Sequence, residues 1–230
     1  MKSKLSNEYS LTDSFENSLS ENVIDAVTNL GEVCLDAMLN DGVLKDIPFL
    51  STIVSLYRIG NGIRSRYNMK KLLEFLKEIQ AQTADDEIRQ EYIKRFRENK
   101  RFRKDELEYL IVIVDRYVGF QKPKMLAKLY ISYLDKTITW QELCVYSEVI
   151  DRFLLNDFQT LLTGEVSLSD HSGYESVLRL VALGLMAEKR KIDQMIYGGT
   201  FDEFFDETTG ETMHYTRTAF GEKLVLILNK

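Results

Sequence analysis

Residues that interrupt helices are scarce in this chain. Its 230 residues include only two prolines and twelve glycines. Because proline breaks helices and glycine marks turns, this composition favours long helices over a many-stranded β-sandwich. Apolar residues make up 44% and charged residues 29% of the chain, which are ordinary fractions for a globular fold. We therefore expect a mostly α protein with a multi-helix body.

Cysteine and histidine are also rare, which limits the chemistry that the chain can perform. Cys34 and Cys144 are too few to build a cysteine-based zinc site, and His171 and His214 cannot form a histidine-rich one. The chain also lacks a Walker motif and a dinucleotide-binding glycine loop. We therefore predict a protein that is not an enzyme, with no catalytic residues, no cofactor and no metal ligands. A carboxylate site assembled from distant helices leaves no local signature and stays open as an alternative.

Long hydrophobic runs are absent as well. The two most apolar stretches, residues 47–57 and 107–118, have about half of the roughly 20 residues that a membrane span needs. Residues 1–18 are rich in serine, asparagine and glutamate and lack the apolar core of a signal peptide. We interpret them as a flexible N-terminal tail. The expected protein is cytoplasmic and has no membrane span.

Helical periodicity dominates the first two-thirds of the chain. Apolar residues recur at three- and four-residue steps, which indicates a helical domain over residues 19–156. Within it, residues 47–57 are apolar nearly all round and predict a buried central helix. Thr139 and Glu142 have the spacing of a capping box, which predicts that a helix starts there. Residues 157–230 then form a second domain.

The second domain carries the most specific local patterns. Residues 178–186, LRLVALGLM, predict an amphipathic helix ended by Gly184, and residues 214–221, HYTRTAFG, predict a strand and then a helix capped by Thr218. A helix, a hairpin and a final helix in this order resemble the winged-helix domains of MarR-type bacterial regulators. The resemblance covers roughly residues 150–230 and implies a winged-helix-like module with a small β-hairpin. It leaves the function open, because unrelated functions share one fold.

A basic segment at residues 94–104 is the strongest charge cluster. It holds two phenylalanines and seven basic residues, which are Lys94, Arg95, Arg97, Lys100, Arg101, Arg103 and Lys104. Such a segment can contact nucleic-acid phosphates or an acidic partner. Alternatively, these cations lie at a helix junction with their aliphatic stems over the core. The net charge of −6 favours the second interpretation.

The winged-helix-like module itself argues against DNA recognition. Its predicted recognition helix offers only Ser176 and Arg179 as outward donors to base edges. The acidic residues of the predicted wing would repel phosphates; they are Asp202, Glu203, Asp206, Glu207 and Glu211. Three aromatic residues of the same segment, Phe201, Phe204 and Phe205, predict either a protein contact surface or packing beneath the wing.

These features lead to one functional hypothesis and one alternative. We expect a non-enzymatic, cytoplasmic interaction protein of bacterial or phage type, which binds a protein partner through its helical body and its winged-helix-like module. The alternative is a DNA- or RNA-binding regulator that uses the 94–104 segment and the winged helix. A second copy of the chain is a further partner that the sequence allows.

Overall fold

The computed structural model describes residues 11–19, 49, 52–53, 63–83, 86–98, 100–168, 174–189 and 213–229. The chain divides into two units, Met1–Asp151 and Arg152–Lys230, so the boundary falls after Asp151 rather than after residue 156. In these ranges the chain is mostly helical, with a small three-stranded antiparallel sheet. The predicted mostly α fold class is therefore confirmed.

The described part of the first unit consists of helices and the short loops between them. Helix α1 covers residues 11–19. It is followed by α2 (Ile63–Gln82), α3 (Asp86–Glu98), α4 (Lys100–Arg116), α5 (Gln121–Leu134) and α6 (Trp140–Arg152). Helix α6 begins at the predicted capping box, where the Glu142 N–H donates to Thr139 Oγ1 at 3.2 Å and the Thr139 N–H donates to Glu142 Oε2 at 2.8 Å.

Aromatic rings fill the core of the first unit. The Phe15 ring lies 4.8 Å from Phe49 and 6.0 Å from Tyr130, measured between ring centroids. Phe49 and Ile53 are buried helical residues and belong to the 47–57 segment, which was expected to form a central helix. Most of that segment lies outside the described residues. The core thus joins α1 to α5 and to the part of the 47–57 segment that is described.

Helix α1 lies where a flexible N-terminal tail was expected. Residues 11–18 belong to the segment interpreted as a flexible tail, and for them that interpretation is wrong. Leu11, Phe15 and Leu19 follow one another at four-residue steps and form one helix face. All three side chains are buried. The burial of this face is the reason that a polar segment is helical here.

The second unit combines short helices with the sheet. A 3₁₀ turn covers Leu155–Asp157. It is followed by α7 (Phe158–Thr163), β1 (Glu165–Leu168), α8 (Tyr174–Ala182), β2 (Met186–Glu188), β3 (Met213–Arg217) and α9 (Ala219–Leu228). The strand order is β1-β3-β2, and both pairs are antiparallel. Ser167 lies opposite His214, and Ala187 lies opposite Thr216.

The order of these elements agrees with the predicted helix, hairpin strands and final helix. Gly184 has φ +72 directly after α8, and Thr218 caps α9 by accepting a hydrogen bond from the Gly221 N–H at 3.0 Å. A helix-turn-helix needs two helices joined by a short turn. In the described residues between β1 and β2 there is one helix, α8, and α7 is separated from it by β1. The finer assignment of a winged helix is therefore kept as a proposal below.

We expect Gly221→Ala to destabilise the second unit by about 3 kcal/mol, because overpacking at a rigid contact is costly. A Cβ at this position would overlap the carbonyl oxygen of Leu185. That oxygen is held by the Thr218 N–H at 3.0 Å, so it cannot move without losing a hydrogen bond. Hydrogen exchange of the α9 amides, followed by mass spectrometry, measures the effect.

Gly184→Ala is the matched control for this prediction. A Cβ there would meet no atom within 4 Å, and the positive φ alone costs about 1 kcal/mol. Equal exchange rates in the two variants would contradict the prediction, because they would mean that the contact with Leu185 is not rigid.

Candidate functional site

A groove opens between α2 and α4 in the first unit. Its volume is about 500 Å³, which is within the range of ligand pockets in proteins. Most of the lining side chains of α4 are three, four or seven residues apart and therefore share one helix face. The lining residues are Arg64, Ser65, Asn68 and Leu72 of α2, Glu108, Ile111, Val112, Val114 and Asp115 of α4, and Ile53 of the 47–57 segment.

The apolar part of this groove is only half covered. Leu72 and Val114 are buried and form its floor. Val112, on the rim, is 59% exposed, and Ile111 beside it is half-buried. An exposed valine next to a buried apolar floor leaves apolar surface in water, which is a feature of contact sites.

One end of the groove is built around Asp115. Arg64 pairs with its carboxylate at 2.9 Å, and the Asn68 amide donates to the other carboxylate oxygen. Lys71 is buried and donates to the carbonyl oxygens of Asp115 at 2.7 Å and of Tyr117 at 2.9 Å. Burial lowers the pKa of Lys71, while the carbonyls at the C-terminal end of α4 are favourable partners for its charge. This end of the groove is therefore fixed by hydrogen bonds between α2 and α4.

The opposite end of the groove carries negative charge. Glu108 is half-exposed and meets Lys104 at 3.7 Å, which is too long for a hydrogen bond. Asp105 is exposed one turn earlier on α4. Among the described side chains of α4 at this end, two carboxylates stand against one lysine, an excess of one negative charge.

The arginines of the predicted basic segment are largely engaged within the first unit. Arg95 pairs with Glu91 at 2.5 Å and with Asp135 at 2.7 Å. Arg97 pairs with Glu16 of α1 at 2.6 Å. Because each of these cations already meets a carboxylate, its charge is locally balanced. The pairs favour a structural role for this part of the segment.

Arg103 is buried and cannot contact a partner directly. Its side chain is 4% exposed and pairs with Glu106. It also donates to Tyr133 Oη at 3.1 Å and to the Phe96 carbonyl oxygen at 3.3 Å. The predicted contact role of Arg103 is therefore wrong, because its guanidinium ties the end of α3 to α4 and α5.

The remaining basic residues of the segment are Lys94, Lys100, Arg101 and Lys104. Lys94 is exposed on α3, and Lys104 takes part in the loose contact with Glu108 described above. Lys100 and Arg101 belong to α4, but their side chains lie outside the described part. Among the described side chains, Lys94 is thus the member of this segment best placed to meet a partner.

The two predicted donors of the recognition helix meet a buried carboxylate. Asp157, whose side chain is 2% exposed, accepts from Arg179 Nε at 2.8 Å and from Arg179 Nη2 at 2.7 Å. Ser176 Oγ donates to the same carboxylate at 2.5 Å. The hydrogen bonds from Arg179 lower the pKa of Asp157. Both residues are therefore hydrogen-bonded to Asp157, while the side chain of Arg179 remains 42% exposed.

The ring of His214, the histidine that the structure describes, has one hydrogen-bond partner among the described residues. His214 Nδ1 lies 2.8 Å from Ser167 Oγ across the β1–β3 pair. A catalytic base is oriented by a third group, and no carboxylate of the described chain contacts this ring. The predicted protein-contact residues Phe201, Phe204 and Phe205 lie outside the described ranges, as do His171 and the acidic residues of the predicted wing.

Other kinds of site find no support in the described part of the chain. Its histidines, cysteines and carboxylates form no group of three or more that could hold a metal ion. None of its helices is long and apolar enough to cross a membrane. Comparison with known proteins finds no matching family model, no matching curated protein and no matching solved structure.

Proposed function

We propose that this chain is a non-enzymatic, cytoplasmic interaction protein of bacterial or phage type that binds a protein partner through the groove between α2 and α4. The observation that carries the proposal is the exposed Val112 with the half-buried Ile111 next to it, in a groove that the buried Leu72 also lines. Covering apolar surface is the main source of binding free energy in protein association. A half-open apolar groove with charged ends has the composition of such a contact.

A protein partner fits the charges better than a nucleic acid does. Non-specific nucleic-acid binding depends on cations that can neutralise phosphates. Here Arg95 and Arg97 are paired, Arg103 is buried and Arg179 is held by Asp157. The net charge of −6 adds repulsion. The nucleic-acid alternative therefore has fewer available cations than the sequence suggested.

The second unit supports the same preference. On α8, Glu175 and Leu178 are exposed, and their three-residue spacing places them on one face of the helix. This face presents a carboxylate, an aliphatic side chain and the partly exposed Arg179, which is already paired with Asp157, and such a mixture suits a protein contact better than a phosphate backbone. A winged-helix-like module that contacts protein through this face is part of the proposal.

Photo-crosslinking at Val112 tests the groove directly. A photoreactive phenylalanine analogue at position 112 should give discrete adducts of higher mass with another protein in cells that express the chain. The same analogue at Val145, an exposed valine of α6 outside the groove, is the matched control and should give none. Both positions are on the surface, so stability should change by no more than about 0.5 kcal/mol.

Two results would count against the groove. Equal adducts from both positions would indicate random encounters, and no adduct at position 112 would mean that the groove is not in contact with a protein. Peptide mass spectrometry of the adduct then identifies the partner. In the purified complex, Val112→Asp should raise the dissociation constant at least about tenfold, the equivalent of roughly 1.4 kcal/mol.

A further inference from the structure

We propose that the segment bound in the groove is an amphipathic helix with a cation at one end of its apolar face and a carboxylate at the other end. This inference rests on the proposed function and specifies the partner of the same site. It follows from the shape of the groove, from the type of its apolar side chains and from the order of its charges.

The shape favours a helix. The lining residues run from Arg64 to Leu72 on α2 and from Glu108 to Asp115 on α4, a length of about 10–12 Å at 1.5 Å per residue. Arg64 at the start of α2 pairs with Asp115 at the end of α4, so these two helix ends meet at one end of the groove. A trough between two helices accepts a third helix by the packing of side-chain ridges into grooves.

The other common modes of peptide recognition fit less well. Strand addition needs an exposed sheet edge, and the described part of the first unit is helical. Proline-rich segments bind grooves lined by aromatic side chains, whereas the apolar lining here is aliphatic: Ile53, Leu72, Ile111, Val112 and Val114. An aliphatic trough two helical turns long matches apolar anchors at steps of three and four residues.

The charges at the two ends of the groove are opposite. At one end, the side chain of Arg64 is 85% exposed, and with the buried Lys71 it outnumbers Asp115 by one positive charge. At the other end, Glu108 and Asp105 outnumber Lys104 by one negative charge among the described side chains of α4. A helix with a carboxylate near Arg64 and a cation near Glu108 is complementary at both ends.

A set of designed peptides tests this charge order. The peptides share an alanine-rich helix of about 16 residues with leucine anchors on one face. They differ only at the two ends of that face, which carry Lys and Glu, Lys and Lys, Glu and Glu, or Gln and Gln. Fluorescence anisotropy measures their dissociation constants for the full chain. We expect the mixed Lys and Glu peptide to bind best, by about fivefold over each like-charged peptide.

Charge reversal in the protein makes the test specific. Arg64→Glu should move the preference to the Lys and Lys peptide, and Glu108→Lys should move it to the Glu and Glu peptide. About 1 M salt should remove these preferences by screening, while Val112→Asp should weaken binding of every peptide and Val145→Asp of none. Far-ultraviolet circular dichroism of each variant shows that the fold is retained.

Three results would overturn the inference. Equal affinity for all the peptides would contradict the charge order, and absence of binding by any peptide would contradict a helical occupant. Dimerisation of the chain in light scattering that Val112→Asp abolishes would make a second copy the occupant. The crosslinking experiment at Val112 is independent of the peptides, so the proposed function can stand when this inference fails.

Discussion

Replacing Arg103 with methionine is expected to lower the free energy of unfolding of the first unit by about 3–5 kcal/mol, because removing one member of a buried ion pair strands the other charge. The side chains of Arg103 and Glu106 are 4% and 9% exposed. In the variant, Glu106 keeps the hydrogen bond from Tyr133 Oη at 2.6 Å but loses its cation. The carbonyl of Phe96 loses a donor as well.

The measurement is urea unfolding followed by the fluorescence of Trp140, the single tryptophan of the chain. Its ring lies 5.4 Å from Tyr133, so it reports on the surroundings of the buried pair. Lys104→Met is the matched control. Lys104 is the next residue of α4, and its contact with Glu108 is long and partly exposed; its loss should cost less than about 1 kcal/mol.

A double variant separates the stranded charge from lost packing. Arg103→Met with Glu106→Leu removes both charges, and replacing a buried pair by apolar side chains is often close to neutral. The double variant should therefore be more stable than Arg103→Met alone. A free energy of unfolding of Arg103→Met within about 1 kcal/mol of that of the unaltered protein would contradict the prediction. It would mean that the pair is hydrated and that Arg103 is a surface cation.

This result also bears on how the basic segment is tested for nucleic-acid binding. A charge reversal that includes Arg103 would unfold the first unit, and any loss of binding would then have a trivial cause. Lys94 is exposed, so Lys94→Glu tests a phosphate contact without that complication.

Local patterns in the sequence predicted local structure well. The capping box of Thr139 and Glu142 and the cap of Thr218 are both present, because each depends on residues only three positions apart. Helix α1 was not predicted, because its three apolar residues stand among many polar ones and the segment as a whole has the composition of a tail. Ser18 of α1 accepts a hydrogen bond from the Phe49 N–H at 3.0 Å, a partner 31 residues away that no local pattern indicates.

The candidate groove was missed for a similar reason. Leu107, Leu110 and Val114 form the buried face of α4, and their periodicity places Val112 on the other side of the helix. An apolar residue outside that stripe was the available signal. It does not locate a groove, because the opposite wall comes from α2, and the contact of Arg64 with Asp115 spans 51 residues.

The role of Arg179 also depends on a residue distant in sequence. Its replacement by methionine is the second change for which we expect a large loss of stability. In the winged-helix interpretation, Arg179 points to DNA, and Arg179→Met would remove binding without changing stability. In the structure, Arg179 makes two hydrogen bonds to Asp157. Arg179→Met leaves that carboxylate buried with Ser176 as its remaining side-chain donor, which should destabilise the second unit because a buried charge loses its cation.

Hydrogen exchange of the α8 and β3 amides, measured by mass spectrometry, reports on the second unit alone. Glu175→Gln is the matched control, because Glu175 is 91% exposed and meets Arg179 only at 3.7 Å. It should leave the exchange unchanged. Unaltered exchange in Arg179→Met as well would mean that the ion pair adds no stability, and Arg179 would again be a candidate for contact with a ligand.

The pH dependence of the Arg179→Met effect follows from the lowered pKa of Asp157, which has the hydrogen bonds from Arg179 as its largest cause. A carboxyl group whose pKa is lower in the folded state contributes stability above its unfolded pKa of about 3.9, and that contribution is lost as the pH falls through the folded value. The difference between the unaltered protein and Arg179→Met should therefore be full at pH 7 and shrink below about pH 4. A difference that stays constant down to pH 3 would mean that Arg179 stabilises the second unit by packing rather than through the charge of Asp157. Since Arg179 is itself 42% exposed, solvent weakens the pair, and the effect should be smaller than that of breaking a fully buried pair.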